Sequence, residues 1–253
     1  MKRGKGRSSL PEGDAKIRHA LIIAAGEGIR FGAATHICPK PLLEVAGVPI
    51  ILRVLLTARE VGIDRFTVVT GYSAEILEDF LFRKTPESIT VECIRNDRWR
   101  RPNGLSVLLG EGHVPDPFVL LMADHLFEAA ILRKVVAGPP LGDHCRLAVD
   151  MRLEKVLDLE DATKVLIDGR RVVGIGKDLK DYNAVDTGIF LCSQGIFDAL
   201  KRAVAKGNES LSDGIRELAH HRRMEAVPIG GLFWRDIDTE YMLKEAEKAF
   251  LSR

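Results

Sequence analysis

The stretch that most constrains this chain is Ala20-Leu21-Ile22-Ile23-Ala24-Ala25, because it empties directly into Gly26-Glu27-Gly28-Ile29-Arg30-Phe31-Gly32 and then Pro39-Lys40-Pro41-Leu42. A short, unbroken apolar run ending in glycines reads as a strand buried on both faces, the kind found inside a parallel sheet. Glycines at the strand exit leave backbone N–H groups unobstructed by Cβ atoms. Arg30 adds a planar fork of donors and Lys40 a point charge whose direction is set by flanking prolines. Together Ala24, Ala25, Gly26, Gly28, Arg30 and Lys40 form a candidate phosphate cradle.

Two better-known glycine loops do not fit. A Walker loop needs G-x-x-x-x-G-K-[ST], and no Lys-Ser or Lys-Thr follows these glycines. The dinucleotide fingerprint needs a third glycine where Phe31 stands, and an acidic residue after the next strand, which ends instead at Thr70-Gly71-Tyr72. Glycines alone would mark no more than a tight turn; Arg30 and the Pro-Lys-Pro segment point to phosphate.

Charge gives no global attraction to nucleic acid or membrane, since 37 basic residues face 36 acidic ones at a net charge of +1. Residues 1–16 read as a basic, disordered leader and residues 17–253 as one domain, a length that buries a full core. No stretch approaches about 18 uninterrupted apolar residues, so a membrane segment is not expected. The four cysteines (Cys38, Cys93, Cys145, Cys192) are far apart and read as reduced core thiols of a cytoplasmic protein, Cys38 also lying near the cationic loop. A single Gln and four Asn beside many charges match the amide-poor bias of heat-loving organisms.

Along the chain, a helix is expected from Pro49 to Gly62, a strand over Phe66–Gly71, a helix capped by Ser73 and running to about Phe82, and strands over Ile89–Ile94 and Phe118–Ala123. Strands alternating with helices imply right-handed crossovers, a mostly parallel, doubly wound α/β sheet and ligands at the carboxyl ends of the strands. Later the rhythm changes. Asp168-Gly169 between two β-branched runs predicts a hairpin. A strand over Ala184–Leu191, helices near Gln194–Ala205 and Ser212–His220, a strand region over Glu225–Trp234 and a helix over Thr239–Ala249 complete an antiparallel extension of the same sheet.

Asp124 follows the fourth strand directly and so points into the crevice where the loop would hold phosphate, the usual place of a ligand to a hard cation. Asp236 and Asp238 offer a second carboxylate, both on one face of an extended stretch, while Asp238 or Thr239 also suits the cap of the last helix. His125 reads as a hydrogen-bonding support rather than a base, because a phosphate acceptor with a second pKa of about 6 needs none.

With A-A-G-x-G-x-R at Ala24–Arg30 and P-K-P at Pro39–Pro41, the chain resembles the nucleotidyltransferases that activate sugar or alcohol phosphates, over essentially Arg18 to Leu251. The resemblance implies that Arg30 and Lys40 are catalytic and that Mg²⁺ sits on Asp124 and on the Asp-Ile-Asp-Thr segment, with Asp238 favoured over Asp236. Three further stretches, 96–106, 121–125 and 176–190, look most like the branch that joins CTP to inositol 1-phosphate. That likeness implies that Asn103, Gly104 and Ser106 hold the cytosine. It also implies that Lys177, a further catalytic cation, meets the acceptor phosphate beside Asp186 and Thr187. The expected partners are CTP and a small phosphorylated alcohol, with no nucleic acid, and a homo-oligomer is compatible with the sequence.

Three alternatives remain open at this level. The acceptor could be phosphocholine or a sugar 1-phosphate, or the nucleotide another NTP; choline would want an aromatic cage, and aromatic residues make up only 6% of the chain. A non-catalytic nucleotide-binding regulatory module would not need every cation and carboxylate intact. A nicotinamide oxidoreductase is disfavoured by Phe31 and the missing ribose acid.

Overall fold

A computed structural model describes residues 17–31, 38–139 and 141–251; the expected leader at 1–16 and Gly32 of the loop lie outside these residues. The expected first strand is β1 (His19–Ala24). Its neighbours are β4 (Arg65–Thr70) and β6 (Phe118–Met122), both parallel to it, with β5 (Thr90–Arg95) parallel beyond β4. Between them come a small hairpin of β2 (Glu44–Val45) and β3 (Val48–Pro49), then helices α1 (Ile50–Arg59), α2 (Ala74–Lys84) and α3 (Gly104–Leu108). Helix α1 starts directly after Pro49, as the fixed φ of proline favours.

The second half adds β7 (His125–Phe127), α4 (Ala129–Val136), β8 (Cys145–Asp150), β9 (Lys164–Asp168), β10 (Arg171–Gly176) and β11 (Ala184–Cys192). Helices α5 (Gly195–Ala205) and α6 (Leu211–His220), strands β12 (Met224–Pro228) and β13 (Trp234–Asp236), and α7 (Glu240–Leu251) close the chain. The main sheet has nine strands in the order β5-β4-β1-β6-β11-β8-β12-β10-β9. Strand β11 runs antiparallel to β6 and β8, and β10 antiparallel to β9 across the Asp168-Gly169 turn, where Gly169 takes φ +58°. The extension departs from expectation at β12, which is parallel to β8. The expected 225–234 strand is also split, and β13 pairs instead with β7 in a separate ribbon.

Alternation along β1 sends Ala20, Ile22 and Ala24 to one face and Leu21 to the other, which is why both neighbours of the strand are layers of helices. One layer packs Ile50, Ile51, Val54, Leu77, Ile131 and Leu132; the opposite layer packs Val107, Ile196, Phe197, Leu200 and Ile215. Phe118 and Phe197 stack at 5.5 Å in the second layer, fully buried. Loss of such a ring costs about 3–5 kcal/mol, so this layer holds β6, and therefore the loop after it, in place.

Two local expectations are corrected. Ser73 stands before α2 but takes φ +50° and its side chain makes no cap; the helix is held by packing of Leu77 and Leu81. Cys93 is not a core thiol, because β5 is an edge strand and leaves it exposed. The Cys38 thiol is pushed up by partial burial and by the Glu44 charge, the opposite of an activated thiolate.

Candidate active site

The carboxyl ends of β1 and β6 meet in one crevice. The loop after β1 turns at Gly28 (φ +69°), closed by Phe31 N–H donating to the Gly28 carbonyl at 3.0 Å. A Cβ at Gly26 would meet no atom within 4 Å, so the space beside that backbone belongs to the cavity rather than to packing. This cavity, about 220 Å³, is lined by Ala24, Gly26, Gly28, Lys40, Asp124 and Asp238 among others. Lys40 sits on a one-turn 3₁₀ segment (Lys40–Leu42) between its two prolines, and its side chain is only 8% exposed.

Two backbone bonds stitch the acidic segments to this floor. Ala123 N–H donates to the Ile23 carbonyl at 3.1 Å, and Ile237 N–H donates to the Asp124 carbonyl at 3.0 Å. Asp124 and Asp238, 114 positions apart in sequence, are thereby brought onto one ammonium: Lys40 Nζ donates to Asp124 Oδ2 at 2.5 Å and also to Asp238. Thr239 caps α7, accepting from Met242 N–H at 3.2 Å, which leaves Asp238 to face the crevice.

Burial by itself would push the Asp124 carboxyl up. The Lys40 and His125 charges and hydrogen bonds overcome it and hold the group far below the usual carboxylate range. Burial likewise pulls Lys40 down, yet Asp124 and Asp238 raise it, so the ammonium stays charged. His125 donates from Nδ1 to Asp124 Oδ1 at 2.7 Å, since an ionised carboxylate only accepts; against its burial, this partner raises the imidazole. Asp236, opposite His125 in the β7–β13 ribbon, is raised by burial.

A second cavity of about 310 Å³ opens on the other side of the same two carboxylates, lined by Arg30, Asn103, Asp124, His125, Asp161, Lys177, Asp186, Trp234, Asp236 and Asp238 among others. Here each cation already has an anion. Arg30 pairs with Asp238, with Asp158 at 3.2 Å and with Asp161 at 2.7 Å, and Lys177 pairs with Asp161 at 2.6 Å. Asp161 therefore bridges the loop cation and the extension cation. Asp186 accepts from Gly188 N–H at 2.7 Å, and burial raises its carboxyl to about 6.

Not every expected residue lines these cavities. Thr187 is buried and donates to the Ala148 carbonyl at 2.8 Å, holding β11 to β8 rather than facing the acceptor side. Ser106, also buried, accepts from Asn96 Nδ2 at 2.9 Å, whereas Asn103 does line the second cavity, its Oδ1 accepting from Leu211 N–H at 2.9 Å. A Cβ at Gly104 would collide with the Glu209–Ser210 backbone, so this glycine allows α3 to pack beside α6. Asp158 and Asp161 escape sequence reasoning; an acidic pair in Asp158-Leu159-Glu160-Asp161 looks like solvated surface until its cations are located.

The donor set fits a hard divalent cation. Two carboxylates converge, and Mg²⁺ is commonly held by one or two carboxylates plus substrate phosphates and water rather than by an all-protein cage. Among the described residues, no group of three or more His, Cys, Asp or Glu is placed to hold a metal ion by itself. No helix among them is long and apolar enough to cross a membrane.

A family model described as the MobA-like NTP transferase domain matches residues 20–157. A protein of Archaeoglobus fulgidus named bifunctional IPC transferase and DIPP synthase is 31% identical over 240 residues, covering 95% of this chain and 45% of that protein. One of the same name from Aquifex aeolicus is 33% identical, covering 92% of this chain and 51% of the relative. The chain thus spans about half the length of these curated relatives. Among solved structures, the inositol-1-phosphate CTP transferase from T. maritima superposes with a TM-score of 0.81 at 25% identity, over 92% of this chain and 96% of that one. UDP-glucose pyrophosphorylase in complex with UDP-glucose shares the fold at a TM-score of 0.76 and 21% identity, over 93% of this chain and 99% of that one.

Proposed function

Because the chain belongs to the MobA-like NTP transferase family, we propose that it transfers a cytidylyl group from CTP to inositol 1-phosphate, releasing pyrophosphate. The observation that carries this reading is the meeting of two cavities, one cradle-like and one ringed by Asp161, Asp186 and Lys177, at the shared Asp124–Asp238 pair. A donor phosphate and an acceptor phosphate placed in them face each other across that pair. The names of the curated relatives and of the T. maritima structure support the choice of nucleotide and acceptor.

An oxygen of the acceptor phosphate attacks the α-phosphorus in line. A new P–O bond forms as the bond from the α-phosphorus to the β-bridging oxygen breaks, and pyrophosphate departs with that electron pair. The amides after β1 and the Lys40 ammonium hold the triphosphate, Arg30 holds the departing pyrophosphate, and Lys177 holds the acceptor phosphate. Two unit charges 4 Å apart interact by about 4 kcal/mol at an effective dielectric near 20, so these cations decide whether two anions approach at all. Asp158 and Asp161 neutralise and orient Arg30 and Lys177, and substrate phosphates take over as their partners. Asp124 and Asp238 would hold Mg²⁺, which would supply charge neutralisation to the phosphates.

Polyol acceptors suit the carboxylates of the second cavity, which accept hydroxyl hydrogen bonds. A choline cage is poorly provided for: of the wall residues, only Phe190 and Trp234 are aromatic. The deciding experiment is pyrophosphate release with CTP, UTP, ATP and GTP, each offered inositol 1-phosphate, glucose 1-phosphate or phosphocholine. Release with CTP and inositol 1-phosphate at least about tenfold above every other pair is expected, a margin of only about 1.4 kcal/mol. Equal or greater release with a hexose 1-phosphate overturns the acceptor, and no release with any pair overturns the activity.

A further inference from the structure

The β11 strand breaks register between Asp186 and Phe190, and Gly188 in that bulge takes φ +71°. A Cβ there would lie 2.8 Å from both Cδ2 and Nε2 of His125, so the bulge opens a slot that the imidazole fills. Trp234 covers the ring nearly in parallel, with centroids 6.1 Å apart and planes 20° apart. Trp234 is itself fixed, because its Nε1–H donates to Asp150 Oδ2 at 2.8 Å, and that buried carboxylate is held by Arg152 Nε at 2.9 Å and Nη2 at 2.8 Å. Gly188 of β11 and Trp234 of β13 thus face a ring that the reaction itself does not need, and Asp150 of β8, held by Arg152, fixes the second of them.

We propose that His125 is a positioning residue that locks the rotation of the Asp124 carboxylate, with the Gly188 slot and the Asp150-anchored Trp234 as its mount. The torsion that turns an aspartate carboxylate is broad, so burial alone does not set the orientation of the carboxylate plane toward the crevice. His125 Nδ1–H takes Oδ1 at 2.7 Å and leaves Oδ2 toward Lys40, the side on which the two cavities meet. Partners of this kind behind a carboxylate ligand are worth about 10–100-fold in metal affinity. The proposal rests on the reading of Asp124 as a cation ligand.

The test compares CTP binding by calorimetry, in EDTA and in Mn²⁺, for the full chain and its His125→Ala and His125→Asn variants. Asn retains an N–H near the place of Nδ1, whereas Ala has none. In the wild type Mn²⁺ tightens CTP; His125→Ala is expected to lose at least about tenfold of that tightening while its CTP affinity in EDTA stays within about threefold, and His125→Asn to recover most of the loss. Gly188→Ala, which pushes the ring out of its slot, is expected to follow His125→Ala. Undiminished tightening in His125→Ala, or an equal loss of affinity in EDTA and Mn²⁺, overturns the positioning role. Absence of any Mn²⁺ effect in the wild type overturns the reading of the carboxylate pair itself, and the proposal with it.

Discussion

Replacing Lys40 by Met removes the ammonium and keeps a stem of similar length. The ammonium lies in a side chain only 8% exposed, between Asp124 at 2.5 Å and Asp238, with those carboxylates 28% and 18% exposed. Removing one partner of such a buried cluster costs about 3–5 kcal/mol, because uncompensated charge stays behind. Arg30 on Asp238 and His125 on Asp124 remain, so the lower end, about 3 kcal/mol, is expected. For a chain of this size that corresponds to a fall of about 6–12 °C in Tm.

The pH dependence follows from the direction of the Asp124 shift. Its folded pKa lies far below the unfolded one, so its stabilisation is complete above the usual carboxylate range and is lost only as pH falls below that range toward the folded value. In Lys40→Met that stabilisation is missing, and protonation of the carboxylates becomes favourable instead. The stability gap between the proteins is therefore widest near pH 7–8, narrows toward pH 4 as the variant's carboxylates protonate, and closes only well below the usual carboxylate range. Without nucleotide, Mg²⁺ should raise the Tm of the variant more than that of the wild type, since it no longer competes with Lys40 for the same oxygens. Turnover should stay at least about a thousandfold low even then, because the lost group also meets phosphate, and about 4 kcal/mol is that large in rate. Urea denaturation at several pH values, with pyrophosphate release measured in parallel, reads all of this. A variant within about 1 kcal/mol of the wild type at pH 7.5, or with near-normal turnover, would refute the reasoning.

Asp124→Ala should abolish product formation while circular dichroism shows a folded protein; substantial turnover by the purified variant defeats its assignment. Lys177→Ala, whose side chain is 56% exposed, should leave stability within about 0.5 kcal/mol and raise the acceptor KM at least about tenfold with little change for CTP. Asp186 has a folded pKa raised to about 6, so its ionisation opposes folding above that pH and the penalty vanishes below the unfolded carboxylate range. Asp186→Asn should accordingly be more stable than the wild type at pH 8, by no more than about 2–3 kcal/mol, with the gain gone at pH 3.5–4; equal stability at both values in chemical denaturation contradicts it. Gly104→Ala should destabilise by about 1–3 kcal/mol in the same assay, since its Cβ meets the Glu209–Ser210 backbone.

The chain's own order of residues determined the parallel front half and singled out the loop after β1 with Arg30, Lys40 and Asp124, which the structure brings to one crevice, because each depends on neighbours within a few positions. Apolar runs, glycines at a strand exit and prolines around a lysine carry their meaning locally. The Asp168-Gly169 hairpin and the cap at Thr239 were legible for the same reason. Only the tertiary structure decided between Asp236 and Asp238 as the partner of Lys40, since period-two alternation places both on one face and the Ile237–Asp124 backbone bond selects which one reaches the ammonium. It also decided that Thr187 and Ser106 turn their hydroxyls to the protein's own bonds, that Asn103 gives its Oδ1 to Leu211 while lining the second cavity, and that Asp161 stands between Arg30 and Lys177. Those outcomes depend on partners 10 to 198 positions away, brought near by the pairing of β11 with β8, by the β7–β13 ribbon and by the packing of α3 beside α6. A side chain's chemistry can be read from its letter, but whether its donor faces a cavity or another strand is set by contacts that no local pattern encodes.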